Sequence, residues 1–257
     1  MYNLTGKTAF LTGGSSGITL GIAERFADEG MNIAIVARNE EKLVAAKAQI
    51  ESHGVKCVAI PADVRDADAM AGAFQTTADA FGGVDTVVAG AAGNFLAMAK
   101  DLSPKGFRTV MEIDAQGVFN TFHSAYPFLT RPGATLIAIS APQAVNAYPA
   151  QIHANAAKAA IEHMVRTLAV EWGHEGIRSL GISPGPIDDT EGMTRLAPTE
   201  AARKQAANTT TLKRLGQKSE VASLAAFLAS EHASYITGTT VPCDGGLGIM
   251  GARAMGA

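Results

Sequence analysis

Short runs rich in Val, Ile and Ala alternate along this chain with longer stretches in which apolar residues recur every three or four positions. The short runs lie at residues 8–11, 32–36, 56–60, 86–89, 135–139, 179–182 and 239–242. They are apolar nearly throughout rather than at alternate positions, the mark of strands covered on both faces in a parallel sheet. The longer stretches, 17–29, 40–53, 66–81, 104–129, 152–172 and 220–229, read as helices. Strand and helix taking turns predict an α/β fold, a doubly wound parallel sheet of seven strands with helices on both faces. No repeat, low-complexity block or linker interrupts the alternation, so 1–257 reads as a single domain. One polar stretch breaks the pattern after the sixth strand. It carries Pro184, Pro186 and Pro198, and 186–208 reads as a mobile substrate lid.

Composition narrows the classes open to such a fold. With 24 acidic against 21 basic residues and a net charge of −3, nothing favours nucleic acid or a membrane surface as a partner. Cys57 and Cys243 are far apart and lack CxxC spacing, so neither a disulfide framework nor a metal site is expected. The first strand begins within ten residues, and the tail Ala254-Met255-Gly256-Ala257 is not a peroxisomal address. A cytoplasmic protein is the expectation.

The first strand runs into Thr12-Gly13-Gly14-Ser15-Ser16-Gly17-Ile18, and a helix follows. Glycines let the backbone turn tightly and approach a pyrophosphate, whose charge the helix amino end then meets. Gly13, Ser15, Ser16, Gly17 and Ile18 are therefore candidate cofactor residues; Thr19 stands where a third glycine often falls. The second strand ends Val36-Ala37-Arg38-Asn39, with no carboxylate for a ribose 2′-hydroxyl. Arg38 can instead hold a 2′-phosphate through two hydrogen bonds, which favours NADP(H). Its bland alternative is a solvated arginine at a strand end. Asp63 and Val64 are placed for the adenine, although Asp63-Val64-Arg65-Asp66 can equally cap the next helix.

These residues resemble the short-chain dehydrogenase/reductase family over nearly the whole chain. The family's glycine turn corresponds to Gly13–Ile18, and its Asn-Asn-Ala-Gly motif to Gly90-Ala91-Ala92-Gly93. Its Pro-Gly motif corresponds to Pro184-Gly185-Pro186-Ile187, and its closing Asp-Gly-Gly to Asp244-Gly245-Gly246. The resemblance implies a Rossmann fold and adds Ala91, Gly93, Pro184, Gly185 and Ile187 to the cofactor set. It also implies a homotetramer built on the helices around 104–129 and 152–172. The catalytic set departs from the family. The lysine corresponds to Lys158, but Ala154 stands at the tyrosine position, Ala141 at the serine and Asp114 at the asparagine. Carbonyl reduction needs an acid for the forming alkoxide, and neither hydroxyl is present.

One branch of the family, the 2,4-dienoyl-CoA reductases of peroxisomal type, lacks the same tyrosine. Residues 91–96, 111–114, 153–160 and 185–192 resemble that branch specifically. The resemblance implies NADPH-dependent reduction of a conjugated dienoyl thioester to an enoyl thioester. Asp114 then holds a water for protonation of the α carbon, and Lys158 binds the nicotinamide ribose and supplies positive charge.

Spacing alone also singles out Asp114. Phe107, Val110, Met111, Val118 and Phe122 recur around it at helical intervals, which puts a carboxylate on a buried face. Such a carboxylate either bonds backbone amides as a structural device or serves chemistry. Asn94 and Phe95 follow the cofactor loop and line an acyl pocket or are a turn residue and a core aromatic. Gln143 bonds the thioester or a loop amide. His153 is a candidate substrate contact, with local packing or hydrogen bonding at a helix start as the plainer reading. Met250 and Met255 suit an oligomer contact or a pocket wall. Two other functions stay open: a carbonyl reductase using another acid, and a silent NADP(H)-binding sensor or scaffold.

Overall fold

A computed structural model describes residues 2–249; Met250 and Met255 lie outside the described residues. The strands are β1 (Thr8–Thr12), β2 (Asn32–Ala37), β3 (Cys57–Pro61), β4 (Thr86–Ala89), β5 (Thr135–Ile139), β6 (Arg178–Pro184) and β7 (Thr239–Cys243). They form one seven-stranded sheet in the order β3-β2-β1-β4-β5-β6-β7, with every pair parallel. The order reverses between β1 and β4. Connections leave these neighbours in opposite directions there and open a crevice at their carboxyl ends.

The helices are α1 (Gly17–Asp28), α2 (Glu40–Glu51), α3 (Ala67–Phe81), α4 (Pro104–Met111), α5 (Gly117–Ala125), α6 (Ile152–Trp172), α7 (Glu191–Leu196), α8 (Glu200–Asn208) and α9 (Lys218–Ala229). On one face Ile22 and Phe26 of α1, Leu43 of α2 and Val221 of α9 bury against Leu11, Ile33 and Ile35. On the other, Phe74 of α3, Phe122 of α5 and Ile161 of α6 bury against Phe10, Val87 and Leu136. Phe10 and Phe74 stack with ring centroids 3.7 Å apart. Each such fully buried side chain contributes roughly 1.5–3 kcal/mol through removal from water.

One expectation needs correction. The stretch 104–129 is not one regular helix: α4 and α5 are joined by a π turn at Glu112–Gln116, and a 3₁₀ turn at Tyr126–Phe128 follows α5. Gly117 packs so closely on Val64 that a Cβ there would lie 2.6 Å from Val64 Cγ2, and Pro127 lacks the amide a continuing helix needs. The stretch 186–208 is partly helical. It contains α7 and α8, each started by a threonine whose hydroxyl accepts from the amide three residues on, Thr190 from Met193 and Thr199 from Ala202.

The missing third glycine of the turn has a structural counterpart across the crevice. Thr19 is buried, and a Cβ at Gly90 would lie 2.2 Å from its Oγ1. The two positions have room for one side chain between them. Gly90→Ala should therefore lower stability by about 1–3 kcal/mol through overpacking, and adding Thr19→Ala should recover most of that loss. Urea unfolding of the four proteins of this cycle checks it, and simply additive losses would contradict the shared space.

Candidate active site

The crevice begins at the turn after β1. Gly13 has φ +71° and Gly17 φ +60°, and a Cβ on Gly13 would lie 2.9 Å from the Ala91 nitrogen. Only glycine combines that left-handed backbone with that approach. Thr12 Oγ1 accepts from the amides of Gly90 (3.2 Å) and Ala91 (3.5 Å), tying the loop after β4 to the end of β1. Ser16 caps α1 in extended conformation without a side-chain bond, so its hydroxyl does not satisfy the first amides of the helix. Amides left open above a glycine cradle suit a pyrophosphate. Ser15 and Ile18 flank this cradle in the same turn.

Arg38 follows β2 with its side chain 68% exposed, Nη1 being 4.0 Å from Asp63 Oδ2. Asp63 is gripped more closely by Arg65, whose Nη2 donates to Oδ2 at 2.6 Å and Nε to both oxygens. That guanidinium holds the Asp63 carboxyl below the usual range. Asp66, not Asp63, caps α3 by accepting from the Ala69 amide at 3.0 Å. The Val64 carbonyl accepts from Asn120 Nδ2 at 2.8 Å. On the far side Pro184 ends β6, the Gly185 amide donates to the Cys243 carbonyl (3.0 Å), and the Ile187 carbonyl accepts from the Thr190 hydroxyl (2.9 Å).

At the centre, Asp114 lies inside the π turn and is 1% exposed. Its Oδ1 accepts from the Gly93 amide at 2.7 Å and its Oδ2 lies 3.4 Å from Lys158 Nζ. Lys158 Nζ also donates to the Ile139 carbonyl at 3.0 Å. The pair is thus hydrogen-bonded beyond its own contact, which buried charges require. Ala154 and Ala141 supply no hydroxyl here. Ser140 does not substitute for them: its hydroxyl donates to Glu162 Oε1 at 2.8 Å, and both residues are buried.

Two of the four candidate substrate residues, Asn94 and Gln143, are joined at the amino end of α6 by a residue the sequence reading passed over. Gln151 Oε1 accepts from Asn94 Nδ2 at 2.6 Å and from Gln143 Nε2 at 3.3 Å. Gln143 therefore bonds a side-chain amide rather than a loop amide. Phe95 stacks on His153 with centroids 4.5 Å apart and stays 41% exposed. His153 is fully buried beneath it with neither ring nitrogen hydrogen-bonded, so of the two local readings, packing and hydrogen bonding, packing is the one observed. Leu96, Met98 and Val145 are exposed on the loops after β4 and β5, which the Ala97 amide joins by donating to the Ala150 carbonyl at 2.9 Å, and Ile152 is exposed at the start of α6. Cys57 takes no part, since burial pushes its thiol up to about 12.

A phosphate cradle at the switch point of a parallel sheet, with a buried lysine–carboxylate pair beside it, defines a dinucleotide-dependent oxidoreductase. Comparison with known proteins makes the assignment specific. A family model described as Enoyl-(Acyl carrier protein) reductase matches residues 13–248. The chain is 42% identical over 245 residues to the peroxisomal 2,4-dienoyl-CoA reductase, (3E)-enoyl-CoA-producing, of Danio rerio, covering 95% of this chain and 82% of that one. It is 40% identical to the protein of the same name from Arabidopsis thaliana, covering 94% and 84%. It is 37% identical to a Bacillus subtilis protein named as a probable 2,4-dienoyl-CoA reductase, (2E)-enoyl-CoA-producing, covering 93% and 96%. Among solved structures it superposes on a Sinorhizobium meliloti dehydrogenase/reductase with a TM-score of 0.89 at 32% identity, covering 96% and 97%. A short chain dehydrogenase from Bacillus anthracis gives 0.87 at 36% identity, covering 95% and 97%. The chain belongs to the short-chain dehydrogenase/reductase family, whose cofactor is a nicotinamide dinucleotide.

Breaking a buried pair leaves an uncompensated charge. Lys158→Met should cost about 3–5 kcal/mol of stability, and adding Asp114→Asn should return part of it, as read by chemical unfolding. Equal losses in the single and double variants would show that the pair carries no such charge penalty.

Proposed function

We propose that this protein reduces a conjugated 2,4-dienoyl thioester to a 3-enoyl thioester with NADPH. The observation that carries the reading is the buried Asp114–Lys158 pair beside alanines at 154 and 141, in a chain about 40% identical to named 2,4-dienoyl-CoA reductases. With no hydroxyl acid at those positions, the site suits a substrate whose reduction forms no alkoxide.

When bound, NADPH would supply the hydride that reaches the δ carbon of the dienoyl chain. The glycine cradle and the open amides of α1 would hold its pyrophosphate, Arg38 its 2′-phosphate, and Lys158 its nicotinamide ribose. Negative charge then spreads through the conjugated chain to the thioester oxygen. Lys158 offsets that charge, more strongly because its ammonium is screened from water. Asp114 holds a water against the α carbon, and the proton delivered there leaves the remaining double bond between the β and γ carbons. Phe95, Asn94, Gln143 and His153 shape the acyl end, and α7 and α8 cover it as a lid. Coenzyme A is the carrier we favour, from the names of the relatives.

No helix among the described residues is long and apolar enough to cross a membrane. We place the protein in the cytoplasm as a homotetramer formed through α4–α5 and α6. Exposed Phe119, stacked on His123 with centroids 5.4 Å apart, and exposed Val170 support that assembly.

Asp114→Ala should lower kcat on a short 2,4-dienoyl-CoA by about 10²–10⁴-fold while NADPH still binds. Joint loss of dienoyl and NADPH absorbance measures the rate; full activity in the variant would remove Asp114 from the mechanism. Nuclear magnetic resonance of the product should show the 3-enoyl isomer. A 2-enoyl product would place the proton on the γ carbon instead.

A further inference from the structure

Three of the lid's four carboxylates, Asp188, Asp189 and Glu191, each pair with a cation. Asp188 pairs inside the lid with Arg203 of α8. The other two reach across to the scaffold. Asp189 accepts from Lys218 Nζ of α9 at 2.7 Å, and Glu191 pairs with Lys42 in the first turn of α2, 149 residues away in the chain. Asp189 has φ +54°, a costly conformation for a residue other than glycine, which its surroundings must offset. Between lid and scaffold lies a cavity of about 470 Å³ walled by Ser16, Gly17, Lys42, Asp189, Glu191 and Arg195. Its wall thus joins the amino end of α1 to the lid, with Lys42 at the boundary.

Lys42 follows Arg38 by four residues, across the Asn39 cap of α2. A phosphate at Arg38 carries a charge of about −1.5 to −2, against −1 for Glu191. Lys42 pairs with Glu191 and is half-exposed on a flexible stem, so a phosphate held at Arg38 would compete with Glu191 for its ammonium group. We propose that Lys42 is shared between Glu191 and the 2′-phosphate of the cofactor, so that NADP(H), but not NAD(H), loosens the lid's hold on α2. The proposal rests on the reading of Arg38 as the 2′-phosphate partner. The Asp189–Lys218 pair stays in place and keeps the other end of the lid anchored, so the phosphate is registered at the substrate mouth.

An exposed ion pair is worth a factor of about two to five in an equilibrium constant. Glu191→Gln should therefore bind NADPH about two- to five-fold more tightly and leave NADH affinity unchanged, as measured by fluorescence titration. Lys42→Met should weaken NADPH alone, and in that background Glu191→Gln should add nothing. Amide hydrogen exchange over 188–208 of the unsubstituted protein should rise with NADPH and not with NADH. Equal effects on both cofactors, or independent effects of the two substitutions, would overturn the proposal. An unsubstituted protein without preference for NADPH would overturn the Arg38 reading instead. A retained preference with a silent Glu191→Gln would sink the shared lysine alone.

Discussion

In a parallel sheet every strand is entered from the same edge, so all the carboxyl ends, and the loops that follow them, lie together on the other. Everything at this site depends on that constraint. The glycine turn follows β1, Arg38 follows β2, Asp63 follows β3 and the loop with Gly93 and Phe95 follows β4. The loop with Gln143 and Gln151 follows β5, and the segment carrying α7 and α8 follows β6. Residues spread over most of the chain meet because the sheet leaves their connections nowhere else to go. The reversal of order between β1 and β4 then opens the crevice, and Thr12, bonded to the amides of Gly90 and Ala91, fixes how wide it is.

Within that crevice the protein keeps a charge pair out of water, an arrangement with a large desolvation cost. The cost is met by bonds that converge from separate elements: the Gly93 amide on Asp114, and the Ile139 carbonyl on Lys158. The π turn belongs to the same arrangement. An extra residue in the helical ladder interrupts the ordinary bonding pattern just where the carboxylate lies, and such turns recur at functional sites. α6 grips the end of β5 twice in one helical turn, through Lys158 on the Ile139 carbonyl and Glu162 on the Ser140 hydroxyl. The lysine is thereby fixed against the strand that places it.

The strand and helix order was legible because burial on both faces writes itself as uninterrupted apolar runs. The burial of Asp114 was legible because Val110, Val118 and Phe122 on either side of it are buried, although Phe107 of the same expected stripe is exposed and the π turn interrupts the helical phase. The π turn was not, and the close packing of Gly117 on Val64 beside it joins residues more than fifty positions apart, which no local pattern records. Gln151 was missed for the same kind of reason: an amide that accepts from two others has no spacing signature. α7 and α8 did leave a signal, threonine followed by glutamate at 190–191 and at 199–200, which the prolines around them obscured. The buried, unbonded ring of His153 has no counterpart in any local pattern.

The close fit of Thr19 against Gly90 also bears on how such a sequence can change. A side chain at 90 and a threonine at 19 compete for one space, so the effect of a substitution at either depends on the residue at the other. The two positions are therefore coupled through packing although they lie far apart in the chain, one in the first turn of α1 and the other in the loop after β4. An exchange that is harmless at one of them in a relative need not be harmless here.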